Sequence, residues 1–204
     1  MTAIVLAAGA GSRFRDVGHK LTAMLPATAD RPAESVVMRC VAIARDADLG
    51  PIVVVTGRLT ASELGLDELG DGAAAGGGLV AAHNSAWHSG QMSSVRTGLS
   101  VAAGNASSVA VIGLADQPGI EANAWCDVAA AVDESTPIAV ATYGGRRGNP
   151  VALHRSVWDE LPPAGDEGAR SLMRLRPELV VEVPCTGSPT DIDTAEDLRR
   201  WQSS

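Results

Sequence analysis

The sequence predicts a three-layer α/β fold of Rossmann-like type, with a mostly parallel sheet covered by helices on both faces. Two observations carry this reading. The runs Ile4-Val5-Leu6, Ile52-Val53-Val54-Val55, Val109-Ala110-Val111-Ile112 and Ile138-Ala139-Val140-Ala141 are apolar throughout instead of alternating, as strands buried on both faces are. Between them, apolar residues recur three and four apart, the period of a helix that turns one face to a core. A βαβα order of this kind builds a parallel sheet.

Taken in order, Ile4–Leu6 is the first strand. Val36, Val37, Cys40, Val41 and Ala44 share one helical face, and Ile52–Val55 is the second strand. A weaker helix is expected over Ala61 to Leu69, a Gly/Ala loop over Gly72 to Gly78, and a short strand at Leu79-Val80-Ala81. Met92, Val95, Leu99 and Ala102 repeat at helical spacing before the strand at Val109–Ile112. Ala122 to Val132 is read as a helix and Ile138–Ala141 as a strand. Beyond that the pattern loosens, with Gly/Pro-rich breaks at Gly144 to Pro150 and Pro162 to Gly168. A last strand (Leu179 to Val183) and a last helix (Ala195 to Trp201) close the chain, the helix opened by a capping-box-like Thr194 and Asp197.

Composition narrows the classes of function. The 204 residues are 46% hydrophobic, enough for one continuous core, and one domain over residues 1–204 is expected. Acidic residues outnumber basic ones, 24 to 16, for a net charge of −8, which argues against nucleic acid as a partner. No apolar run reaches the roughly 18 residues of a membrane span, and the chain opens directly on a strand without the pattern of a signal peptide. Cys40, Cys126 and Cys185 form neither a metal pair nor a disulfide framework, so a reducing, cytoplasmic setting is expected.

In a sheet of this kind, ligands bind beyond the carboxyl ends of the strands, and three segments there carry chemistry. The first is Leu6-Ala7-Ala8-Gly9-Ala10-Gly11-Ser12-Arg13. Its small residues let a ligand approach the backbone, whose N–H groups form an anion nest. Arg13 adds a forked phosphate contact and Lys20 a point charge. A Walker A loop is absent. Gly9 and Gly11 begin a dinucleotide fingerprint, but Phe14 fills its third small position and no acid ends the second strand. The second segment is Asp116-Gln117-Pro118, where Asp116 reads either as a Mg²⁺ ligand or as a cap of the turn. The third is Asp191-Ile192-Asp193-Thr194, whose carboxylates fall on one side of an extended chain. They read as metal ligands or as acids favoured at a helix start.

Together the segments resemble the nucleotidyltransferases of the MobA-like superfamily, which contains the molybdopterin guanylyl- and cytidylyltransferases. The opening LAAGAGSRF with Lys20 looks like the family's triphosphate loop, and Gly90-Gln-Met-Ser-Ser94-Val-Arg-Thr-Gly98-Leu like its nucleoside-binding segment. Leu114-Ala-Asp116-Gln-Pro118 and Asp191-Ile-Asp193-Thr-Ala-Glu-Asp-Leu are similar to its metal motifs. Gly145-Arg-Arg-Gly148-Asn-Pro150 and Gly165-Asp-Glu-Gly168-Ala-Arg170 look like segments of the cytidylyltransferase branch, as does the Ala7-Ala8-Gly9 start. Asn149 stands where that branch has His, Ala195 where the family has Pro, and Arg15 to His19 is longer and more polar than the usual approach to the Lys.

The resemblance implies a nucleotidyltransferase fold and a Mg²⁺-dependent transfer of CMP, or another NMP, from CTP or another NTP to a phosphorylated acceptor. Molybdopterin is the acceptor it points to, with a molybdoenzyme as recipient of the product. It assigns phosphate contacts and catalysis to Arg13, Lys20 and Asp116, and metal binding to Asp116 with Asp191 or Asp193. Leu6, Ala7, Ala8, Gly9, Ala10 and Gly11 would line the triphosphate, Gly90 and Ser94 the nucleoside, and Arg146 and Arg170 the acceptor. The competing readings are an NAD(P)H-dependent oxidoreductase on the same scaffold, a cytidylyltransferase for a sugar or isoprenoid phosphate, and a non-catalytic carrier.

Overall fold

The computed structural model describes residues 1–14, 18–69 and 78–203. Nine strands are assigned among them: β1 (Thr2–Ala7), β2 (Met24–Leu25), β3 (Glu34–Ser35), β4 (Ile52–Thr56), β5 (Leu79–His83), β6 (Val109–Leu114), β7 (Ile138–Tyr143), β8 (Arg146–His154) and β9 (Val180–Pro184). The helices are α1 (Val36–Asp46), α2 (Gln91–Gly104), α3 (Ala122–Ala131), α4 (Arg170–Leu175) and α5 (Ala195–Gln202). Seven strands form one sheet in the order β5-β4-β1-β6-β8-β7-β9, and β2 and β3 form a separate antiparallel pair. β8 alone runs against its neighbours, so the sheet is mostly parallel, as expected.

Alternation along β1 divides the core. Ala3, Val5 and Ala7 face α1 and α3, while Ile4 and Leu6 face α2, α4 and the 3-10 turn Arg155–Glu160. Helices therefore cover both faces. α2 lies unusually close to β1, because a Cβ on Gly98 would come within 2.6 Å of the Ile4 side chain. Gly98 in the GQMSSVRTGL segment is thus a packing residue. α1 is capped by Ser35 and α5 by the capping box of Thr194 and Asp197, both of which offer oxygens to otherwise unpaired N–H groups.

Two expectations need correction, and one helix was not foreseen. The helix expected over Ala61 to Leu69 is a series of turns ending in a short 3-10 segment, Leu66–Leu69. Gly65, at φ +73, turns the chain out of the helical region there. The Gly144 to Pro150 break is a two-residue hairpin, Gly144-Gly145, followed by β8. Between the pairs Val140↔Val151 and Thr142↔Arg147, β7 uses one residue and β8 three, Gly148 to Pro150. Pro150, which has no N–H to donate, sits in that bulge and not in the ladder. The Pro162 to Gly168 break is followed by α4, which its six residues were too few to announce. The expected Gly/Ala loop lies outside the described residues, apart from Gly78.

One buried ion pair ties the segment between β2 and β3 to the core. Arg39 on α1 is 4% exposed, and its guanidinium donates to Glu34 at 2.5 Å and to the carbonyls of Pro32 and Pro26. Removing one partner leaves a buried charge unpaired. Arg39→Ala should therefore lose about 3–5 kcal/mol of unfolding free energy, read from urea midpoints.

Candidate active site

Parallel pairing sets the site. Leu6 stands opposite Leu114 in the β1–β6 ladder, and the Ala115 N–H donates to the Leu6 carbonyl at 3.0 Å. The glycine loop after β1 and Asp116 after β6 therefore leave the same edge side by side. The loop is pinned at both ends: the Ala8 carbonyl accepts from the Arg58 N–H, and Phe14 is buried in the core cluster that contains α1 and α3. The bulk that spoiled a dinucleotide fingerprint serves here as an anchor.

Lys20 stands in a short 3-10 turn, Lys20–Thr22, and is the electrostatic centre of the site. Its ammonium donates to Asp116 at 2.5 Å and to Asp193 at 2.6 Å. Burial alone would lower its pKa; the Asp116 and Asp193 carboxylates outweigh that and hold it above its ordinary value. Arg13, largely exposed, donates to the other oxygen of Asp193 at 2.6 Å. Asp116 does not cap its turn. Its Oδ2 takes Lys20, and its Oδ1 is buried without a hydrogen-bond partner.

Asp191 and Asp193 flank the buried Ile192, whose N–H donates to the Asp116 carbonyl at 2.8 Å. That bond brings the late segment to the same edge. The helix start is capped by Asp197, which leaves Asp193 free for Lys20 and Arg13. Asp191 instead accepts from the Gln117 amide at 2.7 Å. Desolvation, reinforced by the Asp116 carboxylate, pushes its pKa up, against the Gln117 hydrogen bond.

Three cavities meet here. A bowl of about 240 Å³ is lined by Leu6, Ala7, Gly9 to Arg13, Lys20, Asp116 and Asp193. A groove of about 420 Å³ runs past Ala8, Gly9, Trp87, Gly90, Gln91, Ser94, Asp116 and Asp166. A third cavity, of about 360 Å³, has an apolar floor that includes Val95, Ile112, Leu114, Val140 and Met173, with Arg147, Arg170 and Arg174 at its rim. Gly90 and Ser94 thus line the groove, with the Ser94 hydroxyl taking a hydrogen bond from the buried Asn84 amide. Arg170 lines the third cavity. Arg146 lines none of these cavities; its neighbour Arg147 does, although it is paired with Glu182.

Among the described residues, no three His, Cys, Asp or Glu side chains form a ready metal cage. The donor set nonetheless fits a hard divalent cation of the Mg²⁺ type, which takes one or two carboxylates and completes its shell with water and substrate phosphate. The unpartnered buried Oδ1 of Asp116 could be one donor to it, and a carboxylate of Asp191 or Asp193 a second.

Comparison with known proteins agrees with this geometry. The model of the MobA-like NTP transferase domain matches residues 3–182, and the chain belongs to that family, which is one of nucleotidyltransferases. No curated protein matches the chain. Among solved structures, the chain resembles Rv0371c of Mycobacterium tuberculosis H37Rv at 26% identity and a TM-score of 0.73, covering 100% of this chain and 97% of that one. A complex of Rv0371c with manganese superposes with a TM-score of 0.66 at 26% identity, covering 100% of this chain and 98% of that one. A nucleotidyl transferase from Methanothermobacter shares the fold at 23% identity and a TM-score of 0.78, covering 99% and 95%.

Sequence reasoning missed Asn84 and the part played by His19. His19 lies close to the glycine loop, and Gly11 leaves the room for it. Its Nε2 is 3.2 Å from the Gly9 carbonyl, and its Nδ1 accepts from the Leu21 N–H. A carbonyl only accepts and an N–H only donates, so the ring is the neutral Nε2–H tautomer. It thereby ties the glycine loop to the turn carrying Lys20. Burial, with Lys20 and Arg58 nearby, holds its pKa below the ordinary value. A lowered folded pKa means the unfolded chain takes the proton first, so this contribution to stability is whole above the unfolded value and is lost as pH falls through the folded one. Urea midpoints should drop as pH falls below the ordinary histidine value of 6.5, and His19→Gln should flatten that part of the profile.

Proposed function

We propose that the chain is a Mg²⁺-dependent cytidylyltransferase that moves CMP from CTP to a phosphorylated acceptor, molybdopterin, and releases pyrophosphate. The observation that carries the reading is one bowl holding an anion-cradling glycine loop, the Lys20 ammonium and the half-free Asp116 carboxylate. Cations for phosphates and carboxylates for a metal are needed together where a charged phosphoryl group reacts.

The protein's work is positioning and charge neutralisation. The N–H groups of Gly9, Ala10 and Gly11 cradle the triphosphate, with Leu6, Ala7 and Ala8 forming the base of the loop. Arg13 and Lys20 turn from Asp193 toward the β- and γ-phosphates. The nucleoside lies in the groove past Gly90 and Ser94. An acceptor phosphate oxygen attacks the α-phosphorus in line, the bond to the bridging oxygen breaks, and pyrophosphate leaves with the electron pair. Lys20 balances the charge gathering on the leaving oxygens. Asp116, with Asp191 or Asp193, would hold Mg²⁺, which would supply Lewis-acid neutralisation of the phosphates. No protein nucleophile is needed, and Cys40, the buried thiol near Asp116, is pushed well above its ordinary pKa by burial.

The third cavity suits the acceptor. Among the described residues, the Arg170 side chain makes no hydrogen bond or ion pair, whereas Arg147 holds Glu182 and Arg174 holds Glu167. Arg170 is therefore the cation available for an acceptor's phosphate. The apolar floor favours a planar heterocycle over a sugar, because each buried hydroxyl left unpaired costs about 1–3 kcal/mol. The choice of CTP rests on the resemblance of Ala7-Ala8-Gly9, Gly145–Pro150 and Gly165–Arg170 to the cytidylyltransferase branch. A molybdoenzyme would then receive the product. The carboxylates in the bowl weigh against a metal-free dinucleotide.

Two measurements test this. A thermal-shift panel of CTP, GTP, ATP, UTP, NADH and NADPH, each with and without Mg²⁺, should raise the midpoint with CTP and Mg²⁺. A shift with NADH or NADPH that ignores Mg²⁺ and is absent with every triphosphate overturns the proposal in favour of a redox enzyme. Asp116→Ala should cut pyrophosphate release by about 10²–10³-fold or more; unchanged turnover would remove the metal from Asp116.

A further inference from the structure

We infer that Asn149 is a positioning residue that sets which way the Gln117 amide faces and so aims the Asp191 carboxylate. The inference deepens the cytidylyltransferase reading and rests on its metal site.

The bulge in β8 starts the chain of contacts. It takes Gly148, Asn149 and Pro150 out of the ladder with β7, and the Tyr143 hydroxyl holds the Asn149 carbonyl at 2.8 Å. From there the Asn149 amide donates to Gln117 Oε1 at 3.0 Å. Gln117 is 6% exposed. Its Nε2 donates to the Pro189 carbonyl at 2.9 Å and to Asp191 Oδ1 at 2.7 Å.

The two ends of a carboxamide have nearly the same shape, so only the partners decide its orientation. The Pro189 carbonyl and an ionised Asp191 can only accept. The NH₂ of Gln117 must therefore face them, and its oxygen must face away into a site with little water. A donor is needed there, and the Asn149 NH₂ is that donor. Remove it and the buried oxygen loses its partner, at a cost that a turned amide avoids only by setting oxygen against oxygen at Asp191 and Pro189. Asn149, which also lines the third cavity, thus reaches Asp191 only through Gln117, and by that route fixes a carboxylate that the metal reading requires. Direct hydrogen-bond partners of metal ligands, the place Gln117 holds, commonly change metal affinity by about 10–100-fold, and Asn149 acts through that partner.

The test uses Mn²⁺ alone as the probe, with the free-ion electron paramagnetic resonance signal reporting binding to the whole chain. Asn149→Leu keeps the size and removes the donor without adding charge. It should weaken Mn²⁺ binding by about 10-fold. Gln117→Met should weaken it as well, and in that background Asn149→Leu should add nothing, since the two act in series. A general loss of fold would not produce that non-additivity. If Asn149→Leu does not melt cooperatively, Asn149→Ala carries the same prediction. Unchanged Mn²⁺ affinity in a folded variant overturns the inference, as does a loss that persists in full in the Gln117→Met background. Asp191→Asn separates the two levels. If it binds Mn²⁺ as the parent does, the metal reading at Asp191 falls and the inference with it. If it loses Mn²⁺ while Asn149→Leu does not, only the positioning role falls.

Discussion

The parallel pairing of β1 with β6 is the constraint on which the site depends. Parallel strands end at a common edge, and the register that sets Leu6 beside Leu114 decides which loops leave that edge together. The glycine loop and Asp116 emerge as neighbours although they are about a hundred residues apart in the chain. The close approach of α2 at Gly98 and the fully buried Ile4 and Val5 hold that register, because a slip of one residue would exchange the two faces of the strand.

The second constraint is electrostatic. Asp116, Asp191 and Asp193 approach one another at the edge of a low-dielectric sheet, an arrangement that repels itself unless cations intervene. Lys20 supplies most of the compensation and Arg13 a more exposed share. The cationic groups suited to phosphates are thus held in place beforehand by the carboxylates suited to a metal. Gln117 does for Asp191, with a neutral dipole, what Lys20 does for Asp193 with a charge.

The sequence carried the parallel core in plain form, since strands buried on both faces announce themselves as unbroken apolar runs. It carried Asp116 and Asp193 because one stands just past a strand and the other just before a helix, and Lys20 because it follows the glycine loop closely in the chain. What it hid was set by local exceptions. β8 was unreadable because Gly148, Asn149 and Pro150 are residues that strands avoid, and they are tolerated only because they bulge from the ladder. α4 was hidden by its shortness, and His19 by a role that exists only when the Gly9 carbonyl and the Leu21 N–H converge on one ring. The separate partners of Asp191 and Asp193 were likewise invisible, since an i, i+2 spacing fixes direction and says nothing of neighbours. Arg146 and Arg147 could be told apart only once the hairpin placed one of them against a cavity.

The antiparallel β8 has a genetic consequence. The glycine loop, the Lys20 turn and Asp116 belong to the first part of the chain, whereas the apolar cavity draws its arginines and Asn149 from the hairpin and from α4. A single recombination junction in the turn before α3 would therefore exchange the polar rim of that cavity and keep the part of its floor formed by Val95, Ile112 and Leu114. Asp166 returns across the divide to the groove, and so, to the bowl, does the short stretch from Asp191 to Asp193, bound by the Ile192 N–H to the Asp116 carbonyl. That stretch is the compatibility code that any such exchange must carry with it.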